Sequence, residues 1–249
     1  MAITFVDVRK RFNFRSISIG RWVTPQERDR SAALFYHALA DLMVALKCPE
    51  QVISLRGQLS FQYGIGGRPG VAAHYDPSQR CFALAKNAGP GSIAHEWFHA
   101  LDHYLVVKSF ADAPASMFTS KAWLSEATPI VHVLNDKLDQ CFKSILLSAD
   151  GKQPSELFKN SAMIDKKLKS QYYAKPEELC ARAFECFIAD TLEQQGRENR
   201  FLVSNINNTD EAKLGLYPRF EQRTQINAAF SDYFSMLGAR LRANANANH

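Results

Sequence analysis

The sequence predicts an α+β fold, in which a helix and a small mixed sheet over residues 1–91 precede a mainly helical half over residues 92–242. The observation behind this class is a change of spacing. Apolar residues recur with a helical period before residue 49, with a period of two between residues 52 and 85, and with a helical period again from residue 92. No internal repeat and no linker rich in proline or serine divides the 249 residues, so a single domain is expected.

The first predicted helix follows Thr24. Thr24 can cap it, Pro25 suits the first helical position, Glu27 completes a capping box and Pro49 ends the helix. The apolar stripe of this helix comprises Leu34, Phe35, Leu39, Leu42, Met43 and Leu46.

The predicted sheet consists of three segments. Strand alternation runs through residues 52–61 and is closed by the glycines of residues 64–67. Residues 71–75 and 80–85 form a predicted hairpin that turns at Asp76-Pro77-Ser78.

Four helices are predicted in the second half: from Ser92 to about Val107, after Pro129, from Pro176, and from Gln222 to Leu241. The polar residues 204–216 are expected to form a loop. Residues 243–249 alternate Ala and Asn with nothing to bury, which predicts a disordered tail after a domain of residues 1–242.

Composition excludes several classes. Thirty Lys and Arg against 25 Asp and Glu give a net charge of +5, too weak to indicate nucleic-acid binding, and Arg9-Lys10-Arg11 is interpreted as a solvated face beside a strand or turn. The alternative for that run is a basic patch for an acidic partner. There is no apolar run of about 20 residues and no export signal, and five cysteines without a C-x-x-C pair fit a reducing compartment. A cytoplasmic protein without membrane contact is expected.

The motif that carries chemistry is His95-Glu96-Trp97-Phe98-His99. His95 and His99 are four residues apart, so both imidazoles lie on one helical face and can reach one metal ion. Glu96 can hold a water molecule and take its proton, the general-base role in H-E-x-x-H peptidases. Zn²⁺ is the favoured ion because imidazole and carboxylate ligands with one open position suit it.

Other residues are weaker candidates for a role in the metal site or its cleft. Asp102 lies on the same face as His99 and could orient a ligand imidazole, with an ordinary surface aspartate as the alternative. His103 is rejected as a ligand because eight residues of helix separate it from His95 by about 12 Å. His74 is a candidate for lining the cleft. His37 and His132 are interpreted as ordinary residues of amphipathic helices.

A third ligand has to come from elsewhere, and Glu178 is the best candidate. Pro176 starts a helix on which Glu178, Arg182 and Glu185 share one face, so a ligand has a basic and an acidic neighbour. Glu177 is displaced from that face by about 100°, and an acidic residue in a first helical turn complements the helix dipole.

Residues 73–75, 91–102 and 172–185 together resemble the large polyvalent-protein-associated zincin-like domain, which occurs in phage and plasmid proteins. The whole chain, including residues 20–24 and 49–55, is similar to the short bacterial proteins labelled CLCA_X. A more distant resemblance is to the peptidase domain of anthrax lethal factor, which shares H-E-x-x-H-A-x-D and a later E-x-x-A-x-A-F helix.

The resemblance implies a zincin-like fold of the Glu-zincin type. Glu178 matches the third zinc ligand of the lethal factor domain, and a tyrosine slightly upstream stabilises the oxyanion there. Tyr172 is preferred over Tyr173 for that role, although the spacing does not match to the residue. An edge strand, taken as Arg80 to Ala85, would bind an extended peptide, and Phe98 would narrow the cleft.

These observations predict a zinc-dependent metallopeptidase that hydrolyses peptide or protein substrates with a Glu96-activated water. The alternative is a catalytically silent zincin-fold binding module. The phage and plasmid relatives and the modest positive charge favour, more weakly, a nucleic-acid-associated factor.

Overall fold

The computed structural model describes residues 2–65, 73–86 and 91–247, and it confirms the α+β class. The described α-helices are α1 (Phe5–Phe12), α2 (Pro25–Ala45), α3 (Ile93–Ser109), α4 (Thr119–Trp123), α5 (Val133–Leu146), α6 (Glu156–Leu168), α7 (Pro176–Gln194), α8 (Asp210–Lys213) and α9 (Phe220–Ala247). The described strands are β1 (Ile17–Ile19), β2 (Ser60–Tyr63), β3 (Ala73–Asp76) and β4 (Cys81–Leu84). Within these residues, no helix combines the length and hydropathy needed to cross a bilayer.

The sheet has the strand order β1-β2-β4-β3. β1 pairs with β2 and β2 with β4 in parallel, whereas β3 runs antiparallel to β4, as predicted for a hairpin. The expectation of an edge strand at Arg80–Ala85 was wrong. β4 pairs with β2 at one edge and with β3 at the other, so β3 lies at the edge instead.

The predicted strand over residues 52–61 was wrong for most of its length. A 3₁₀ turn over Glu50–Val52 is followed by turns, and only Ser60 and Phe61 belong to β2. Leu55, Arg56 and Gly57 all have φ between 53° and 78°, so the backbone reverses where alternation alone suggested an extended chain. The glycines of residues 66–67, expected to close that strand, lie outside the described residues.

The helix α1 was not predicted. Thr4 and Asp7 form a capping box at its start, and its buried residues Phe5, Val8 and Phe12 have helical spacing. The basic run at residues 9–11 therefore lies in the last turn of a helix, where it complements the helix dipole, and not beside a strand or turn.

The helices predicted at Thr24, Ser92, Pro129 and Pro176 are confirmed as α2, α3, α5 and α7, and the Thr24–Glu27 capping box is present. The loop predicted at residues 204–216 contains a 3₁₀ turn and the short α8. The expectation of disorder from Ala243 was wrong as far as Ala247, because α9 continues to that residue. The alanines of this segment favour a helix, since alanine has the highest helix propensity. Residues 248–249 lie outside the described part.

Aromatic packing between α3, α7 and α9 forms the part of the core nearest the motif. Its rings belong to Trp97, Phe98, Phe184, Phe187, Phe230 and Phe234, all buried. Phe184 lies at the centre, with ring centroids 5.5 Å from Trp97 and 5.0 Å from Phe98. The expectation that Phe98 narrows the cleft was wrong, since its ring is buried against Phe184 and Phe230 and does not line the cavity that holds His95 and His99.

Candidate metal centre

The helix α3 carries His95 and His99 into a cavity of about 870 Å³. Gly91 sets the start of this helix: its φ is +102°, and a Cβ there would lie 2.5 Å from the side chain of Ser204. Ser92 occupies the N-cap position as predicted, but its hydroxyl makes no capping hydrogen bond. The tight contact with residue 204 fixes where the first turn of α3 begins.

The structure brings Glu178 of α7 to the two imidazoles. His95 Nε2 lies 3.3 Å from Glu178 Oε2, and His99 Nε2 lies 3.4 Å from Glu178 Oε1. One ligand atom from each of the three residues falls within 4.8 Å of the others. His99 and Glu178 are buried and His95 is half-buried, so the three groups meet at the inner end of the cavity.

These atoms suit a zinc ion. Tetrahedral zinc with ligands at about 2.0–2.2 Å needs ligand atoms about 3.3–3.6 Å apart. Each imidazole Nε2 lies at such a distance from one oxygen of Glu178, His95 from Oε2 and His99 from Oε1. The donor set of two imidazoles and one carboxylate is one that zinc accepts while keeping a position open. His95, His99 and Glu178 would therefore hold the ion.

Glu185 fixes the orientation of His95. Glu185 Oε2 lies 3.2 Å from His95 Nδ1 and accepts a hydrogen bond of 3.1 Å from the Tyr217 hydroxyl. Its carboxylate therefore holds the second nitrogen of a candidate ligand, the contact that usually fixes the tautomer of a metal-binding histidine. The sequence placed Glu185 on the correct helical face, but it gave no indication of Tyr217.

The second histidine has a different environment. Both carboxylate oxygens of Asp102 accept hydrogen bonds from Ser120, at 2.8 Å from its N–H and 2.5 Å from its hydroxyl. His99 Nδ1 is buried without a hydrogen-bond partner among the described residues, and its ring packs edge-on against Phe118 at 5.8 Å. The expectation that Asp102 orients a ligand imidazole was therefore wrong: it anchors the start of α4.

The charged side chains of this cluster shift one another's pKa values. Burial opposes a charge on His95, but the carboxylates of Glu185, Glu178 and Glu96 outweigh it and raise the pKa of the imidazole. Burial likewise opposes the charge of Glu178, yet hydrogen bonds to His95 and His99 hold the pKa of its carboxyl well below the usual value. The cluster thus keeps a cation beside an anion, and a metal ion would replace the protons.

Glu96 and Tyr172 line the same cavity. Tyr172 is 45% exposed as a whole, but partial burial raises the pKa of its hydroxyl, and the negative charges of Glu178 and Glu96 raise it further. This phenol is protonated at neutral pH and can donate a hydrogen bond. Tyr173 also lines the cavity, but its carbonyl accepts from Arg182 and its ring faces that guanidinium at 5.8 Å. Tyr173 is thus engaged with Arg182, whereas Tyr172 lies close enough to Glu178 and Glu96 to respond to their charges.

Asp165 holds the loop that carries these tyrosines. Its carboxylate accepts hydrogen bonds from the N–H groups of Tyr172, Tyr173 and Ala174 at 2.8–3.1 Å and from the Ser170 hydroxyl. Burial would raise the pKa of Asp165, but these hydrogen bonds outweigh it and lower the pKa to about 2. Sequence analysis missed this residue because a turn anchor has no periodic pattern.

The edge strand β3 forms another wall of the cavity. His74 is exposed and lines it, which fits the prediction of a cleft residue. His103 is held away from the cluster, with Nδ1 2.8 Å from the hydroxyl of Tyr75. Glu177 also lines the cavity, in the first turn of α7, without belonging to the metal cluster. His37 is exposed on α2, and His132 is the N-cap of α5 and not a residue inside the helix.

Residues 164–241 match the family described as large polyvalent protein-associated domain 1. The matched segment contains Glu178, Glu185 and Tyr217, whereas the helix with His95 and His99 lies outside it. No curated protein and no solved structure matches the chain. The match thus supports the predicted relation to polyvalent-protein domains over the C-terminal part of the chain.

Proposed function

We propose that this protein is a zinc-dependent metallopeptidase. The observation that carries the proposal is the convergence of His95, His99 and Glu178, with one ligand atom from each within 4.8 Å of the others, in a cavity that Glu96 also lines. Two ligands and a potential general base come from α3, and the third ligand comes from α7, later in the chain. Such an arrangement suits hydrolysis at a metal ion that keeps a position open for water or substrate.

When bound, zinc would supply a Lewis acid for the scissile carbonyl and for water. Glu96 accepts the proton of the attacking water and passes it to the leaving amine. Tyr172, kept protonated by its surroundings, donates a hydrogen bond to the oxyanion of the tetrahedral intermediate. Glu185 holds His95 in place throughout through its contact with Nδ1.

The substrate would be a peptide or protein segment in extended form. Among the described residues, no strand pairs with the outer side of β3, and β3 borders the cavity through Ala73, His74 and Tyr75. A free strand edge offers backbone N–H and C=O groups to an added strand. Strand addition at β3 would lay the substrate backbone along the cavity.

The test is digestion of a library of end-blocked peptides by the zinc-loaded protein, with products identified by mass spectrometry. E96Q is expected to lower the cleavage rate about 10²–10⁴-fold and to keep zinc, because it removes a general base and no ligand. E126Q, which changes an exposed glutamate outside the cavity, is the matched control and should cleave like the parent. Cleavage by E96Q at the parental rate would refute the mechanism, and zinc binding without any cleavage would favour the silent binding module.

A further inference from the structure

A second cavity, of about 600 Å³, lies on the side of α3 away from the metal cluster. Residues of α3 and α9 form its two long walls, and we call it the α3–α9 groove. The wall residues are Leu101, Tyr104, Leu105 and Lys108 on α3, and Tyr233, Leu237, Arg240, Leu241, Ala243 and Asn244 on α9. The α3 set has the i, i+3, i+4, i+7 spacing of one helical face, and Leu237, Arg240, Leu241 and Asn244 repeat it on α9, so one stripe of each helix lines the groove.

The floor of the groove is apolar. Tyr104, Leu105, Leu237 and Leu241 are half-buried and pack against the core from one side only. Val131, on the rim, is 97% exposed. A contiguous set of large apolar side chains that reaches solvent is typical of an interaction site.

The rim of the groove is positively charged. Arg56, Lys108 and Arg240 line it and are exposed, and its described lining residues include no aspartate or glutamate. Within the described part of the chain, none of these three cations forms an ion pair with a carboxylate. Lys108 Nζ instead lies over the ring of Tyr104, 4.6 Å from its centroid. The groove therefore combines an apolar floor with cations whose charge is available to a partner.

We propose that the α3–α9 groove binds an amphipathic helix of a partner protein, with an apolar face flanked by Asp and Glu. The α9 stripe from Tyr233 to Asn244 spans about 16 Å, or three helical turns. A partner helix of that length can place its apolar residues between the two stripes and its carboxylates on the cationic rim. A fatty acid carries a single charge and would leave two of the three cations unpaired. This inference is independent of the peptidase proposal, since the groove shares no residue with the metal cluster.

The experiment uses two fluorescein-labelled 18-residue peptides with the same leucine face, one with glutamates and one with lysines on its flanks. Fluorescence anisotropy with the full-length protein is expected to give a Kd at least about tenfold lower for the Glu peptide, as rim charges favour complementary partners. K108E/R240E should reverse this preference, and L105D should weaken both peptides. K166E/K167E makes the same charge change on exposed residues of α6 outside the groove and should keep the parental preference.

Three results would overturn the proposal: absence of saturable Glu-peptide binding, equal binding of both peptides, and an unchanged preference in K108E/R240E. Displacement of the Glu peptide by oleate at a lower concentration than by unlabelled Glu peptide would assign the groove to a lipid and also overturn it. A dimer of the parent chain that K108E/R240E dissociates would assign it to a second copy, with the same consequence. Thermal unfolding of each variant by circular dichroism checks that the fold is retained.

Discussion

The interface between α3 and α7 has two sides that bury different chemistry. On one side, His95 and His99 face Glu178 and Glu185 at 3.2–3.4 Å. On the other side, Trp97 and Phe98 of α3 pack against Phe184 of α7. The same two helices therefore carry both a charged cluster and an aromatic layer.

The comparison shows how stability and chemistry are divided. Burying a large aromatic ring is worth about 1.5–3 kcal/mol, and ring pairs add to this. Burying paired charges is often neutral or unfavourable for folding, because desolvation offsets their attraction. The buried nitrogen of His99 without a partner also costs free energy. We therefore expect the aromatic side to support the fold and the polar side to hold a cation at some cost to the fold.

The largest expected effect comes from the aromatic side. F184A should lower the free energy of unfolding by about 3–5 kcal/mol, because it opens a cavity at the centre of the layer. The milder F184L should cost less and leave a folded protein in which zinc affinity changes by less than about threefold. Chemical denaturation and zinc titration measure the two quantities. A large loss of zinc affinity in folded F184L would contradict the claim that the aromatic side supports the fold and the polar side binds the metal ion.

The next effect comes from the polar side. E185Q should lower zinc affinity by about 10–100-fold, because the carboxylate that holds His95 loses its charge. Zinc-free stability should fall less than in F184L, because relief of burying the Glu185 charge offsets the lost attraction to His95, and an amide oxygen can still accept from Tyr217. Competition with a metal-binding dye measures the affinity, and denaturation without zinc provides the comparison. If E185Q destabilised the zinc-free protein as much as F184L, Glu185 would be a structural residue only.

The smallest expected effect concerns the loop that brings Tyr172 to the polar side. D165N should lower the free energy of unfolding by about 1–2 kcal/mol at pH 7, because Asp165 accepts four hydrogen bonds in its charged form. Its pKa in the folded chain is about 2, below the ordinary 3.8. This contribution is therefore complete above pH 3.8 and is lost as the pH falls through about 2.

Urea unfolding at several pH values below 5 checks this window. The difference between parent and D165N should disappear on acidification, whereas the deficit of F184L should persist, because no charge of Phe184 titrates. A D165N deficit that is independent of pH would show that shape, and not charge, makes Asp165 important.

Local patterns in the sequence predicted the parts of the fold that depend on neighbouring residues. The capping box of Thr24 and Glu27, the hairpin and the helix at Pro176 follow from interactions within a few residues. Helical periodicity also placed Glu178 and Glu185 on one face. Spacing alone therefore predicted that His95 and His99 share one face of α3 and that Glu178 and Glu185 share one face of α7.

Long-range contacts were not predictable in this way. Tyr217 reaches Glu185 across 32 residues from a segment without a periodic pattern. The two oxygens of Asp102 could have faced His99 by sequence, and only the position of α4 directs them to Ser120. The alternation of apolar and polar residues at 52–61 led to a wrong strand prediction. The backbone reverses at Leu55 and Arg56, and neither leucine nor arginine usually adopts a positive φ.

The most direct test of the central claim is zinc binding by the parent, E178Q and E177Q. The two glutamates are adjacent in the first turn of α7, but only Glu178 belongs to the cluster with His95 and His99. Elemental analysis should find one zinc per parent chain. Titration should show at least about 100-fold weaker binding by E178Q, since loss of a ligand should cost no less than loss of its outer partner, and near-parental binding by E177Q. Absence of zinc from the parent, or equal effects of the two substitutions, would contradict the proposed metal centre.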